Sequence, residues 1–108
     1  MQQKAFQTRI ETEAHWNDMV RQSDVLLVEV YSKMWGEASC YKQTLQRIYF
    51  AKSDQCKFGL AASEDIGELR EFEEQALPHF LLYRHGRRIQ TILGIKGPEI
   101  ERAIENAC

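Results

Sequence analysis

The segment Val25-Leu-Leu-Val-Glu-Val-Tyr31 constrains this chain more than any other. A strand with one wet face alternates apolar and polar residues, whereas this run is apolar on both parities and broken only by Glu29. Such a strand has to be covered on both faces, which requires a sheet with further layers above and below it. The rest of the chain supplies them. Thr12 reads as an N-cap, after which Trp16, Met19 and Val20 mark one face of a short helix ending near Ser23-Asp24. From Ala38 to Lys52, Tyr41, Leu45, Ile48 and Tyr49 recur at helical spacing, and Lys57 to Ala62 is a second buried run. Ile66, Leu69 and Phe72 mark a third amphipathic helix, with Glu68, Arg70, Glu71, Glu73 and Glu74 as its solvated outer face. Pro78 stops it before the strand His79–Tyr83, and His85-Gly86 turns the chain into Arg87–Leu93 as an antiparallel hairpin. Gly94 ends that strand. Gly97-Pro98 opens a last helix whose Ile100, Ala103, Ile104 and Ala107 fall on one face. With a weak first strand over Lys4–Ile10, the order is β-α-β-α-β-α-β-β-α, an α/β fold without repeats or linker.

Size and charge narrow the function classes. The 108 residues suit one domain, 1–108, with a core large enough to need no staples. A net charge of −2 gives no global reason to expect nucleic acid or an anionic membrane, and no apolar run approaches the roughly 20 residues of a membrane span. The three cysteines, Cys40, Cys56 and Cys108, are odd in number and have no close pair, as in a reducing compartment. The first residues, Met-Gln-Gln-Lys-Ala-Phe, form no apolar signal region, so the expected location is the cytoplasm or a compartment continuous with it. His15, His79 and His85 have no metal-ligand spacing, and neither a metal nor another cofactor is expected.

The strand-helix order, with a Trp35-Gly36 turn after the second strand and a proline before the fourth, resembles the thioredoxin-like family over nearly the whole chain. Val28-Glu29-Val30-Tyr31 resembles the strand carrying that family's buried acid, with Glu29 in place of Asp. Leu77-Pro78-His79-Phe80 resembles the cis-proline segment, Arg84-His85-Gly86 the hairpin turn, and Gly94 the glycine after the last strand. Phe58–Glu64 and His79–Gly86 look most like the thioredoxin modules of ciliary proteins, namely outer-arm dynein light chains and thioredoxin/nucleoside diphosphate kinase fusions. The resemblance implies a central mixed sheet of four or five strands flanked by four helices, with a cis Leu77–Pro78 bond. It also implies protein partners in an axonemal or dynein assembly of the cilium.

The departure from the family decides the expected chemistry. A dithiol oxidoreductase needs Cys-x-x-Cys, one thiol activated at a helix N-terminus and a second to resolve the mixed disulfide. Counting from Tyr31, Trp35 falls on the first cysteine and Ala38 on the second; aligned instead with the family's tryptophan, Trp35 leaves the first cysteine deleted. Under both alignments Gly36, Glu37 and Ala38 occupy the Gly-Pro-Cys positions, and Cys40 lies two residues further on. The expectation is therefore a non-catalytic docking or scaffold subunit. Its vestigial active site would be Trp35, Gly36, Glu37 and Ala38, and its binding groove Met34, Trp35, Pro78 and Gly94. The alternative for Trp35 is an inward-folded core residue. The alternative function is a single-cysteine redox or redox-sensing protein in which Cys40 forms mixed disulfides, set against Cys40 as an ordinary helix residue.

Three further features are read structurally. Glu29 is a relic acid satisfied by hydrogen bonds, with Lys52 or Lys57 as donors, or else points outward, because a buried carboxylate without a partner is costly. Cys56 is a buried filler and Cys108 an exposed end. Arg84, His85, Arg87 and Arg88 form a basic hairpin tip that an acidic protein tail such as tubulin's could meet, against the reading of a solvated turn.

Overall fold

A computed structural model describes residues 7–36, 42–73, 75, 77–94 and 96–107. Five strands form one mixed sheet: β1 (Thr8–Ile10), β2 (Val25–Tyr31), β3 (Lys57–Ala62), β4 (His79–Arg84) and β5 (Arg87–Leu93), in the spatial order β1-β3-β2-β4-β5. β1 and β2 run parallel to β3, β4 runs antiparallel to β2, and β5 completes the hairpin. The apolar run at Val25 thus becomes the central strand. Its side chains alternate between two separate clusters, one on each face of the sheet.

Val25 and Leu27 join the first cluster with Leu45 and Ile48 of α2 (Lys42–Lys52) and Ile100, Ala103, Ile104 and Ala107 of α3 (Gly97–Ala107). Leu26, Val28 and Val30 join the second with Trp16 of α1 (Glu13–Gln22) and Ile66, Leu69 and Phe72. Thr12 caps α1 as its sequence position predicts, its side-chain oxygen accepting the His15 N–H at 3.1 Å. His85 and Gly86 both have positive φ, 50° and 83°, the pair of values that a two-residue primed turn requires. At Gly59 a Cβ would stand 2.9 Å from Ile10 Cδ1, so a larger residue would require the end of that isoleucine side chain to shift.

Two expectations are corrected. The third helix is a 3₁₀ helix, Gly67–Phe72, rather than an α-helix. No side chain of its N-cap residue Ile66 caps it, and the Gly67 N–H is instead taken by Glu13 of α1, so the segment is held by its neighbours rather than by its own capping. Its acidic face is also not simply solvated. Trp16 Nε1 donates to Glu68 Oε1 at 3.4 Å, the Tyr83 hydroxyl donates to the other oxygen of Glu68, and Arg88 donates to Glu71 at 3.0 Å. These donors come from α1, β4 and β5, which is why helical periodicity alone misplaced the two acids. The first strand begins at Thr8, and the expected start of the second helix at Ala38 lies outside the described residues.

Candidate functional site

The sheet register gathers one end of the molecule. Val30 lies opposite both Ala61 and His79, and His79 lies opposite Leu93. The C-terminal ends of β2, β3 and β5 and the N-terminal end of β4 therefore meet. The segments that leave them are 32–36, 63–65, 77–78 and residue 94.

Segment 32–36 is a tight, well-bonded turn. Trp35 and Gly36 both donate their backbone N–H to the Ser32 carbonyl, at 3.0 and 2.9 Å, and Met34 N–H reaches Ser32 Oγ at 3.3 Å. Gly36 ends the turn with φ 78°, a value that favours glycine. The buried Ser32 hydroxyl donates to Glu64 Oε2 at 2.8 Å, and the Lys33 N–H to Glu64 Oε1 at 3.1 Å. Lys33 Nζ pairs with Asp65 at 2.8 Å, and this hydrogen bond raises its pKa. Burial pushes the Glu64 carboxyl upward, but the hydrogen bonds from Lys33, Ser32, its own backbone N–H and Ser63 outweigh it and leave its pKa lowered.

So pinned, the turn exposes its large side chains: Met34 is 65% and Trp35 59% exposed. The inward alternative for Trp35 is thereby corrected: its side chain is exposed and belongs to neither core cluster. Pro78 of the expected groove is buried, so it offers backbone rather than side chain; its carbonyl accepts the Gly94 N–H at 2.8 Å. Gly94 has φ 76° and carries the chain away from the sheet. Leu77 and Leu93, missed by the sequence reading, are both exposed at this end. The signal for them was their position, since each is a leucine directly before the Pro78 or Gly94 already singled out. Glu37, Ala38 and Cys40 lie outside the described residues, as does Cys108.

Glu29 is fully buried on the α2–α3 side of the sheet. Its hydrogen-bond donor is the Gln7 side-chain amide, at 2.9 Å on Oε1. Neither expected lysine serves it as proposed: Lys52 pairs with Glu105 at 3.0 Å and Lys57 is exposed. Register explains the outcome, because β3 separates β2 from β1, and the residue preceding β1 reaches back over that strand. Behind the apolar end, His79 stacks on Phe72 with ring centroids 4.5 Å apart, and burial holds its pKa below the usual histidine value. Cys56 is buried, its thiol directed to the Lys57 carbonyl at 3.3 Å. Among the described residues no group of three or more His, Cys, Asp or Glu could hold a metal ion. No helix among them is long and apolar enough to cross a membrane.

A five-stranded mixed sheet with helices on both faces, and a turn plus helix following the central strand, defines the thioredoxin fold. Solved thioredoxins superpose accordingly. The mitochondrial thioredoxin 3 of Saccharomyces cerevisiae matches at a TM-score of 0.77 with 22% identity, covering 93% of this chain and 94% of its own. The Malassezia sympodialis thioredoxin also gives 0.77, at 15% identity over 99% of this chain and 95% of its own. The family follows from sequence: the chain belongs to the thioredoxin-like family. It is 31% identical over 103 residues to the 14 kDa light chain of the flagellar outer-arm dynein of Chlamydomonas reinhardtii, covering 93% of this chain and 80% of that protein. It is also 24% identical to the human thioredoxin domain-containing protein 6, covering 93% of this chain but 31% of that longer protein. No protein-family model matches the chain.

Proposed function

We propose that this chain is a non-catalytic, thioredoxin-like docking subunit of a dynein-associated complex of the ciliary axoneme. The observation that carries the reading is Trp35, an exposed aromatic on a hydrogen-bonded turn directly after the central strand, where the family resemblance places the active-site turn. Met34, Leu77 and Leu93 put further apolar surface at the same end. Large aromatic anchors dominate protein interfaces, and a rigid one loses little freedom on binding. The similarity to an outer-arm dynein light chain supplies the class of partner.

Two measurements test this. The domain should not reduce insulin with dithiothreitol or thioredoxin reductase as electron source. Turnover that vanishes in Cys40→Ser would instead make it a single-thiol enzyme. In pull-downs from axonemal extract scored by recovery of dynein heavy chain, Trp35→Ala should weaken association by about 2 kcal/mol, roughly thirtyfold. Cys40→Ser should leave it unchanged. Full recovery by a folded Trp35→Ala protein would remove the docking surface from this end.

A further inference from the structure

We propose that Glu64 is the positioning residue of this face: its carboxylate locks the 32–36 turn so that Met34 and Trp35 are held in one arrangement before a partner arrives. The inference rests on the reading of Trp35 as the docking anchor. Four consecutive backbone N–H groups, from Lys33 to Gly36, all resolve onto two residues. Lys33 donates to Glu64, Met34 to Ser32 Oγ, and Trp35 and Gly36 to the Ser32 carbonyl. The Ser32 hydroxyl that takes the Met34 N–H is itself oriented by donating to Glu64 Oε2, while Trp35 and Gly36 close the turn on the Ser32 carbonyl. Glu64 thus fixes the Lys33 amide directly and the Met34 amide through the Ser32 hydroxyl, at the two positions that lead into Trp35.

The side-chain oxygens of Glu64 receive the Ser32 hydroxyl, the Lys33 N–H and the Ser63 hydroxyl at 3.2 Å. An ionised carboxylate is acceptor-only and satisfies all three; because the serine hydroxyls can also accept, a glutamine amide retains contacts here, and only removal of the side-chain carboxyl strips all of them. The anchor point is itself firm. Ser63 continues the sheet by donating its backbone N–H to the Tyr31 carbonyl at 2.8 Å, and Asp65 engages Lys33 from the same loop. Glu64 and Ser32 belong to neither core cluster, so loosening the clamp should free the turn without unfolding the domain.

The test compares wild type, Glu64→Ala, Trp35→Ala and a control, Glu71→Gln, whose Arg88 partner lies on the hairpin. Two readouts are taken on the intact chain: amide hydrogen exchange and Trp35 indole relaxation by NMR, and heavy-chain recovery from axonemal extract. Glu64→Ala should speed exchange at Lys33 and Met34 at least tenfold, increase Trp35 indole motion and lower recovery about fivefold, with circular dichroism and thermal midpoint close to wild type. Glu71→Gln should change neither readout. Unchanged exchange and indole motion in Glu64→Ala would overturn the clamp. So would recovery equal to wild type while Trp35→Ala loses it, which leaves the docking reading standing. Undiminished recovery in Trp35→Ala would instead defeat the docking reading, and the positioning role with it, even if the exchange data showed a loosened turn.

Discussion

Trp16 and Trp35 are the same residue under opposite treatment. Trp16 is 1% exposed, sits edge-on to Tyr83 at 5.4 Å, and directs its indole N–H to Glu68. Its surroundings supply everything that a buried indole needs: apolar contact for the ring and an acceptor for the N–H. Trp35 is 59% exposed, on a turn closed by backbone hydrogen bonds to the Ser32 carbonyl. The Ser32 and Glu64 contacts fix the main chain and leave the ring at the surface. Burial with a polar partner separates a tryptophan that holds the fold from one presented at the surface.

The largest expected effect breaks that comparison at the buried residue. Trp16→Ala should destabilise the domain by about 3–5 kcal/mol in urea unfolding, because it leaves a cavity beneath α1 and strips Glu68 of one donor. Loss below about 1 kcal/mol would mean that the second cluster tolerates collapse there. Trp35→Ala should cost the fold no more than about 0.5 kcal/mol, as for a surface substitution, although it carries the roughly thirtyfold loss of docking. A large unfolding penalty would make Trp35 a structural residue. The smallest effect sharpens the account of the turn. With its folded pKa lowered from 4.5, Glu64 contributes stability that is fully present above pH 4.5 and lost as pH falls through the folded value. Protons should thus loosen the turn only in acid. Carboxyl ¹³C shifts should titrate below the ordinary glutamate range, with Lys33 amide exchange accelerating in the same window. Titration at or above 4.5 would count against the hydrogen-bond set.

Much of the architecture was legible in the chain because it rests on local patterns. The run Val25–Tyr31, the run Lys57–Ala62 and the strand Arg87–Leu93 all lie within the bounds that the sequence suggested. Thr12 is the cap expected of it, and His85-Gly86 the turn. The misreadings cluster where the deciding atoms come from elsewhere in the chain. Glu68 and Glu71 look like an outer face by periodicity, yet α1, β4 and β5 supply their donors. Lys52 and Lys57 are charged and close in order to a plausible partner of Glu29, but the sheet order gives that place to Gln7.

The same division holds for the candidate site. By itself the sequence determined that no Cys-x-x-Cys follows the second strand and that a tryptophan stands there instead, because residue identity at a fixed spacing is a property of the chain. Only the tertiary structure decided that Trp35 faces solvent, that Leu77 and Leu93 share its end of the sheet, and that Glu64 fastens the turn. Each of these depends on register between strands distant in sequence. Hydrogen bonds and burial are set by which groups that register brings within reach, and no local pattern encodes it.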